Sequence, residues 1–319
     1  MKTNQMSRRK KRLIAGGSFL LVLILLTGIF FWYVSDYYRA EDVALEVMTQ
    51  DSNITVQDNL TILSPTYPTD TAIIFYPGAK VEAEAYLPLL DQIRQTGVTC
   101  ILVHMPFRMA IFDANAAEEV INQFPEFQHW YIAGHSMGGA MASKYASDHP
   151  DRVDGLILMG AYIYGNYPDE KTLTIYGSLN QSVEDRINYT ENIVEIEGGN
   201  HAQFGNYGPQ KGDLPATISA QEQQAQTTAA IEAFLSEDDS HDGGGIQMFF
   251  KKKQKTGTYD KETQRPVIRS SICTGEKTAG FQDIHTGKFT EIMLIHTSDD
   301  LKEFCRLYNV DESEISTQY

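Results

Sequence analysis

Trp130-Tyr131-Ile132-Ala133-Gly134-His135-Ser136-Met137-Gly138-Gly139-Ala140 is the stretch that decides how this chain is read. An apolar run suited to a buried strand meets G-x-S-x-G and passes at once into small, helix-compatible residues. This is the sequence form of a nucleophile elbow. The serine sits on a sharp strand-to-helix turn in a strained backbone conformation, and glycine is needed two residues before and two after it. The five-residue pattern alone is common, and its flanks give it weight. Ser136 is therefore read as a nucleophile, with a merely structural glycine-rich turn as the alternative.

A βα rhythm extends on both sides of the elbow. Strands are expected at Thr71 to Tyr76, Val98 to His104, Trp130 to Ala133, Gly155 to Met159, Leu173 to Tyr176 and Ile193 to Glu197. Helices are expected at Glu82 to Gln95, Ala114 to Gln123, after Ser136, and at Ser219 to Leu235. Short apolar strands alternating with amphipathic helices specify a mostly parallel sheet covered on both faces. Ahead of them, Val43 to Pro65 alternates apolar and polar residues and reads as one or two antiparallel strands. Only about a dozen residues separate Met159 from Lys171, too few for a large lid.

The N-terminus is of another kind. Arg8-Arg9-Lys10-Lys11-Arg12 precedes Leu13 to Val34, 22 residues without a charge. At ~1.5 Å per residue that run crosses a hydrocarbon core of ~30 Å once. It ends in Phe31-Trp32-Tyr33 rather than in a small-residue cleavage site, which favours an uncleaved signal anchor over a signal peptide. By the positive-inside rule residues 1–12 stay in the cytoplasm and the chain beyond Tyr38 faces outward as a single-pass, membrane-tethered domain. The lipid bilayer is thus one expected partner. A formal charge of −16 excludes nucleic acid as another.

A serine nucleophile needs a base, and a group that holds the base in the right tautomer. His201, in Gly198-Gly199-Asn200-His201-Ala202 directly after the last expected strand, is the candidate base. His104 ends a strand, His149 follows the elbow helix and His135 lies within the elbow, so all three fit less well. At this point the chain resembles the α/β-hydrolase family, in its compact lidless branch of dienelactone-hydrolase-like and small esterase domains. Residues 68–236 carry the resemblance through Phe75-Tyr76-Pro77-Gly78, the elbow, Ile175-Tyr176-Gly177-Ser178 and Gly198-Gly199-Asn200-His201. It implies a serine hydrolase acting on a carboxylic ester or related small acyl substrate, without cofactor or metal. It also implies an oxyanion hole from the main-chain N–H groups of Met137 and Ala79.

The sequence departs from the family at one place. The triad acid usually lies three residues past the glycine matched by Gly177, and here that residue is Asn180. Three readings stay open: Asn180 orients His201 as an amide; Glu184 or Asp185, one turn further on, supplies the carboxylate; or the site is impaired and the fold serves as a binding or interaction module. An amide can orient an imidazole but cannot compensate an imidazolium charge. Met105, Tyr162 and Phe204 are candidate substrate-lining residues, with Phe107, Tyr164 and Tyr207 beside them, because loops at the carboxyl ends of strands bind ligands in open α/β sheets; packing of the loops themselves is the alternative for each, and the more common one.

Three cysteines make no disulfide framework. Cys100, in an apolar strand, reads as a small buried hydrophobe. The hydrolase domain is bounded at 40–236, followed by a linker at 237–247 rich in Asp and Gly and a small α+β module at 248–319. In that module strands are expected at Val267 to Cys273, Thr278 to Gln282 and Glu291 to Ile295, a turn at Thr286-Gly287 and a helix at Asp299 to Tyr308. It resembles short free-standing bacterial proteins sometimes labelled aspartate dehydrogenase. About 72 residues without G-x-G-x-x-G cannot hold a dinucleotide fold, so no chemistry is assigned. Gly243-Gly244-Gly245 ahead of Met248 is also what a translated ribosome-binding site spells, making a read-through of two neighbouring genes the alternative to a linker.

Overall fold

The computed structural model describes residues 8–50, 53–238, 261, 263–270 and 277–295, and among the last residues 301, 302, 304, 305, 308, 310 and 314–318. The chain divides into two compact units, Met1–Met248 and Phe249–Tyr319.

The first unit opens with helix α1 (Arg8–Ser35), of which Gly16–Ser35 is long and apolar enough to cross a membrane. Its side chains from residue 16 on are exposed except near its end, where Phe30 is half-buried and Val34 buried. Helix α2 (Asp42–Gln50) follows. Strand alternation was expected here, but Ala44, Val47 and Met48 recur at helical spacing, Ala44 buried and Val47 and Met48 packed against the core.

The sheet then builds from β1 (Ile54–Gln57), β2 (Leu60–Leu63), β3 (Thr71–Tyr76), β4 (Thr99–Val103), β5 (His129–His135), β6 (Gly155–Met159), β7 (Thr172–Gly177) and β8 (Ile193–Ile196). Their order is β1-β2-β4-β3-β5-β6-β7-β8. β1 and β2 are antiparallel to their neighbours and the remaining pairs are parallel. This is the mostly parallel sheet expected from the rhythm, in the α/β-hydrolase arrangement that the resemblance implies. Strands β4, β6 and β7 are buried at every position, as a sheet covered on both faces requires.

Two cores follow from the period-2 geometry of the strands. Ile73, Phe75, Leu102, Ile157 and Ile175 pack under α3 (Leu87–Arg94) and α7 (Ala220–Asp238). Ile74, Tyr76, Ile101, Ile132 and Leu158 pack under α4 (Ala116–Gln123) and α5 (Met137–Asp148). Truncating a wholly buried residue such as Ile74 or Leu158 to Ala would cost ~2–5 kcal/mol. Cys100 is buried in the first core. The pairs Tyr76↔Gly134, His135↔Met159 and Gly177↔Ile196 bring the carboxyl ends of five strands to one edge. The segments leaving those ends carry the candidate chemistry.

The second unit holds β9 (Gln264–Ser270), β10 (Lys277–Asp283), β11 (Phe289–Ile295) and β12 (Ser316–Gln318), in the order β11-β10-β9-β12. Ile268, Ala279, Phe281, Ile295, Phe304 and Val310 form its core. In the β10–β11 turn the Asp283 carboxylate accepts the N–H groups of His285 and Thr286, and Gly287 adopts φ +71°. The expected helix at Asp299 to Tyr308 lies partly outside the described residues; Leu301, Lys302, Phe304, Cys305 and Tyr308 within it are helical. Cys273 and the stretch Gly243 to Met248 also lie outside them.

Candidate active site

Ser136 occupies the turn between β5 and α5 with φ +54° and ψ −121°. A non-glycine residue in that region costs on the order of 1–3 kcal/mol, a strain that must be imposed by its surroundings. They are tight. A Cβ on Gly134 would lie 2.5 Å from the Gly138 carbonyl carbon, and one on Gly138 would lie 2.1 Å from the Tyr76 carbonyl oxygen. The Ser136 N–H donates to the Met159 carbonyl (3.0 Å), tying the elbow to the next strand. Half-buried, the serine stands at the carboxyl edge of the sheet.

Met159 is followed by Gly160 at φ +53°, and a Cβ there would lie 2.8 Å from His201 Nδ1. The imidazole is therefore seated on the backbone next to the carbonyl that holds Ser136. The loop bearing His201 is fixed from several directions. Gln223 of α7, wholly buried, accepts the Asn200 N–H (3.0 Å) and donates to the Asn200 carbonyl (2.8 Å), pairing with the loop as a strand would. The Asp213 carboxylate accepts the N–H groups of His201 (3.3 Å) and Ala202 (2.7 Å). Burial holds His201 below the usual histidine range, with the Asp213 charge opposing. An imidazole neutral at pH 7 is what a general base requires.

The side chain that meets His201 Nδ1 is Asn180, at 2.7 Å, buried at the start of the short helix α6 (Gln181–Glu184). The amide nitrogen faces the ring, and the Ser182 hydroxyl donates to Asn180 Oδ1 (3.0 Å). In this orientation the amide donates to Nδ1, so the ring proton sits on Nε2 and no lone pair remains there. A half turn of the amide exchanges its oxygen and nitrogen. Oδ1 then accepts from Nδ1–H, and the amide nitrogen donates to Ser182 Oγ, a hydroxyl that accepts as readily as it donates. Only this second state leaves Nε2 free to take a proton from a serine.

His135, the residue before the serine, carries the other half of the framework. Its Nε2–H donates to the His201 carbonyl (2.9 Å), which can only accept, so Nδ1 bears the lone pair and accepts a hydrogen bond from the Tyr86 hydroxyl (2.7 Å). The Tyr86 oxygen in turn accepts the Gly78 N–H (3.0 Å). A continuous chain thus runs from the loop after β3, through Tyr86 and His135, to the main chain of His201. Burial and the neighbouring His201 keep His135 well below the ordinary range, so it stays neutral.

The remaining expected residues are placed as follows. The N–H groups of Ala79 and Met137 donate to no acceptor among the described residues. Glu184 and Asp185 do not meet His201 Nδ1, a position taken by Asn180. Met105 lines a cavity of about 310 Å³ with Pro77, Val81 and Phe107. Tyr162 is half-buried under the Arg186 guanidinium (5.9 Å). Phe204 corrects its expectation: it is wholly buried 5.6 Å from the His135 ring and supports the histidine loop from beneath instead of lining the mouth. No group of His, Cys, Asp and Glu among the described residues is arranged to hold a metal.

Residues 72–225 match the alpha/beta hydrolase family. The domain these residues form is of the α/β-hydrolase family. Among solved structures it is similar to Est1E from Butyrivibrio proteoclasticus (15% identity, 59% of this chain and 100% of that one, TM-score 0.43). It is also similar to MenH from S. aureus (11% identity, 58% and 100%, TM-score 0.43). A third is MGS-MChE2, an alpha/beta hydrolase enzyme from the metagenome of lagoon sediments at Mar Chica, Morocco (12% identity, 58% and 99%, TM-score 0.42). No match was found among curated proteins.

Proposed function

We propose that this chain is a membrane-tethered serine hydrolase that cleaves a carboxylic ester or related acyl bond. Residues 13–34 are its anchor, residues 40–236 its catalytic domain outside the cytoplasmic membrane, and residues 248–319 a separate module. His201 Nε2 takes the hydroxyl proton as Ser136 Oγ attacks the acyl carbon. The oxyanion is received by the N–H groups of Ala79 and Met137, worth on the order of 10²–10³ in kcat per donor. The alcohol leaves with the proton returned by His201, and water repeats the sequence on the acyl-enzyme. The observation that supports this reading best is the seating of His201 on Gly160, next to the carbonyl that holds Ser136, with a side-chain orienter at Nδ1.

A second reading has one observation in its favour. The orienter is a neutral amide, and in a serine protease the equivalent Asp-to-Asn change costs about 10⁴ in turnover. A fold kept as a binding module would tolerate that loss. Fluorophosphonate labelling of the full chain in detergent separates the two. A hydrolase is labelled, and Ser136→Ala abolishes the label; a parent chain that melts cooperatively yet takes no label is the binding module.

A further inference from the structure

The loop after β4 carries apolar side chains that the fold does not bury. Phe107, Ile111 and Phe112 are 43%, 58% and 49% exposed, on two short 3-10 turns, Pro106–Arg108 and Ala110–Phe112. Phe107 and Arg108 both adopt positive φ, +52° and +58°, a conformation that costs free energy at each. This patch does not stand alone. Phe30 of α1 touches Phe107 and Phe112 (ring centroids 5.1 and 5.9 Å), and Phe31 touches Phe107 (6.2 Å). The patch is therefore continuous with the lipid-facing surface of the anchor.

Depth follows from helix geometry. Phe30 lies five residues before the end of α1, roughly 8 Å along its axis. That is the level at which interfacial side chains reach the boundary between headgroups and acyl chains. Cations stand at the same end, in a chain whose formal charge is −16. Lys80 Nζ lies 4.4 Å from the Tyr33 ring centroid and pairs with Asp36, and Arg108 lies 3.6 Å from the Tyr37 ring centroid. Aromatic and basic side chains together are the usual composition of a membrane interface.

The same segment borders the candidate oxyanion loop. Lys80, next to Ala79, donates its N–H to the Arg108 carbonyl (2.8 Å). The chain leaving α1 clips onto that loop from its other side: the Tyr38 N–H donates to the Lys80 carbonyl (2.7 Å) and the Tyr38 carbonyl accepts from the Glu82 N–H (2.9 Å). The cavity of about 310 Å³ between them has Met105 and Phe107 in its wall.

We infer that this face is docked in the bilayer and that the site draws its substrate from the surrounding leaflet, an amphiphile with a long acyl chain whose ester lies at the headgroup boundary. The inference rests on the reading of Ser136 as nucleophile and α1 as anchor. The ester of such a molecule already lies at the depth of Phe107 and Phe112, so it enters without leaving the interface. A small water-soluble ester gains nothing from the exposed rings.

The test uses the full chain in anionic phospholipid vesicles, with two substrates: a fluorogenic long-chain monoacyl ester embedded in the vesicle and p-nitrophenyl acetate in solution. Ile111→Asp/Phe112→Asp replaces two exposed side chains outside the catalytic machinery. The rate on the embedded ester should fall roughly tenfold or more, as charges are driven out of the interface. Hydrolysis of p-nitrophenyl acetate, fluorophosphonate labelling and the melting temperature should hold. Equal rates on the embedded ester, or equal losses on both substrates, overturn the inference. A readout independent of turnover is quenching by brominated lipids of Ile111→Trp, in excess of the parent chain. No excess quenching overturns docking, including the case where a second copy covers the face and cross-links as a dimer. A parent chain that takes no label and hydrolyses neither ester overturns the catalytic reading instead, and the substrate assignment with it, while quenching still decides the docking.

Discussion

The elbow after β5 and the turn after β7 are built alike and carry opposite chemistry. At each, a glycine answers the approach of backbone within 3 Å: Gly134 against Gly138 and Gly139, Gly177 against Gly199 and Asn200. At each, a candidate site residue follows within three positions and opens a helix: Ser136 before α5 and Asn180 before α6. The elbow presents a serine in a strained conformation, the residue type its geometry exists to serve. The turn presents Asn180, which has the reach and hydrogen bonds of an acid but no charge. Geometry is enforced by sterics over many residues, whereas charge depends on one side chain. The shape of a site can therefore persist where half of its electrostatics is absent.

The largest expected effect tests that separation directly. Asn180→Asp places a carboxylate against His201 Nδ1 and should raise kcat/KM by up to about 10⁴ if the site behaves as other triads do. The sign on the pH profile is fixed as well. His201 is held below its ordinary range by burial, so the acid limb of kcat/KM in the parent lies below that of a free histidine. The new anion stabilises the imidazolium and moves the limb to higher pH. An unchanged rate and an unchanged limb would mean that the turn contributes shape alone.

An intermediate effect is expected from Tyr86→Phe. The change strands the Gly78 N–H and His135 Nδ1, each a buried group whose unpaired state costs about 1–3 kcal/mol. Chemical denaturation should show that loss. Because Gly78 adjoins Ala79, kcat should fall while KM holds. A variant that loses stability but keeps kcat would show that the Tyr86–His135 chain braces the fold without reaching the oxyanion loop.

The smallest effect separates the two histidines of the site. His135 is neutral in the folded protein, its value depressed chiefly by burial. The unfolded chain takes up a proton at that residue below about pH 6.5, and between that point and the folded value stability falls on acidification by up to ~1.4 kcal/mol per pH unit. His201 acts in the same direction. His135→Gln keeps an acceptor for Tyr86 and a donor for the His201 carbonyl without titrating, so its melting temperature should depend less steeply on pH between 6.5 and 5. A slope equal to the parent's would place the acid sensitivity elsewhere.

Much of this was legible in the chain because the demands are local. The glycines around Ser136 answer clashes set within the turn and the strand beside it, and β3 and β6 run where their apolar residues run. The position of Asn180 relative to Gly177 is likewise a short-range pattern. What could not be read is imposed from far away. Gly160 is needed because the ring of His201 rests on it, 41 residues later in the chain. Gln223 looks like any polar residue of an amphipathic helix until the Asn200 backbone is brought against it. Asp213 lies in a polar loop with no motif around it, and Tyr86 looks like one more apolar contact beside α3. Phe204 could not be assigned from sequence because a loop aromatic is as apt for burial as for a mouth.

Asn180 has one more consequence, which concerns populations. A carboxylate is unchanged by a half turn, so a triad acid offers its histidine a single arrangement. An amide is not symmetric, and with the Ser182 hydroxyl able to serve either end, two arrangements of nearly equal shape are open to it. On the proposed mechanism, the one that parks the proton on Nε2 is silent and the other is competent. Observed turnover is then the intrinsic rate scaled by the fraction of molecules in the competent arrangement. A bias of about 1.4 kcal/mol between the two changes that output tenfold, with no atom of the backbone displaced. On that mechanism the rotation of one buried amide sets the rate.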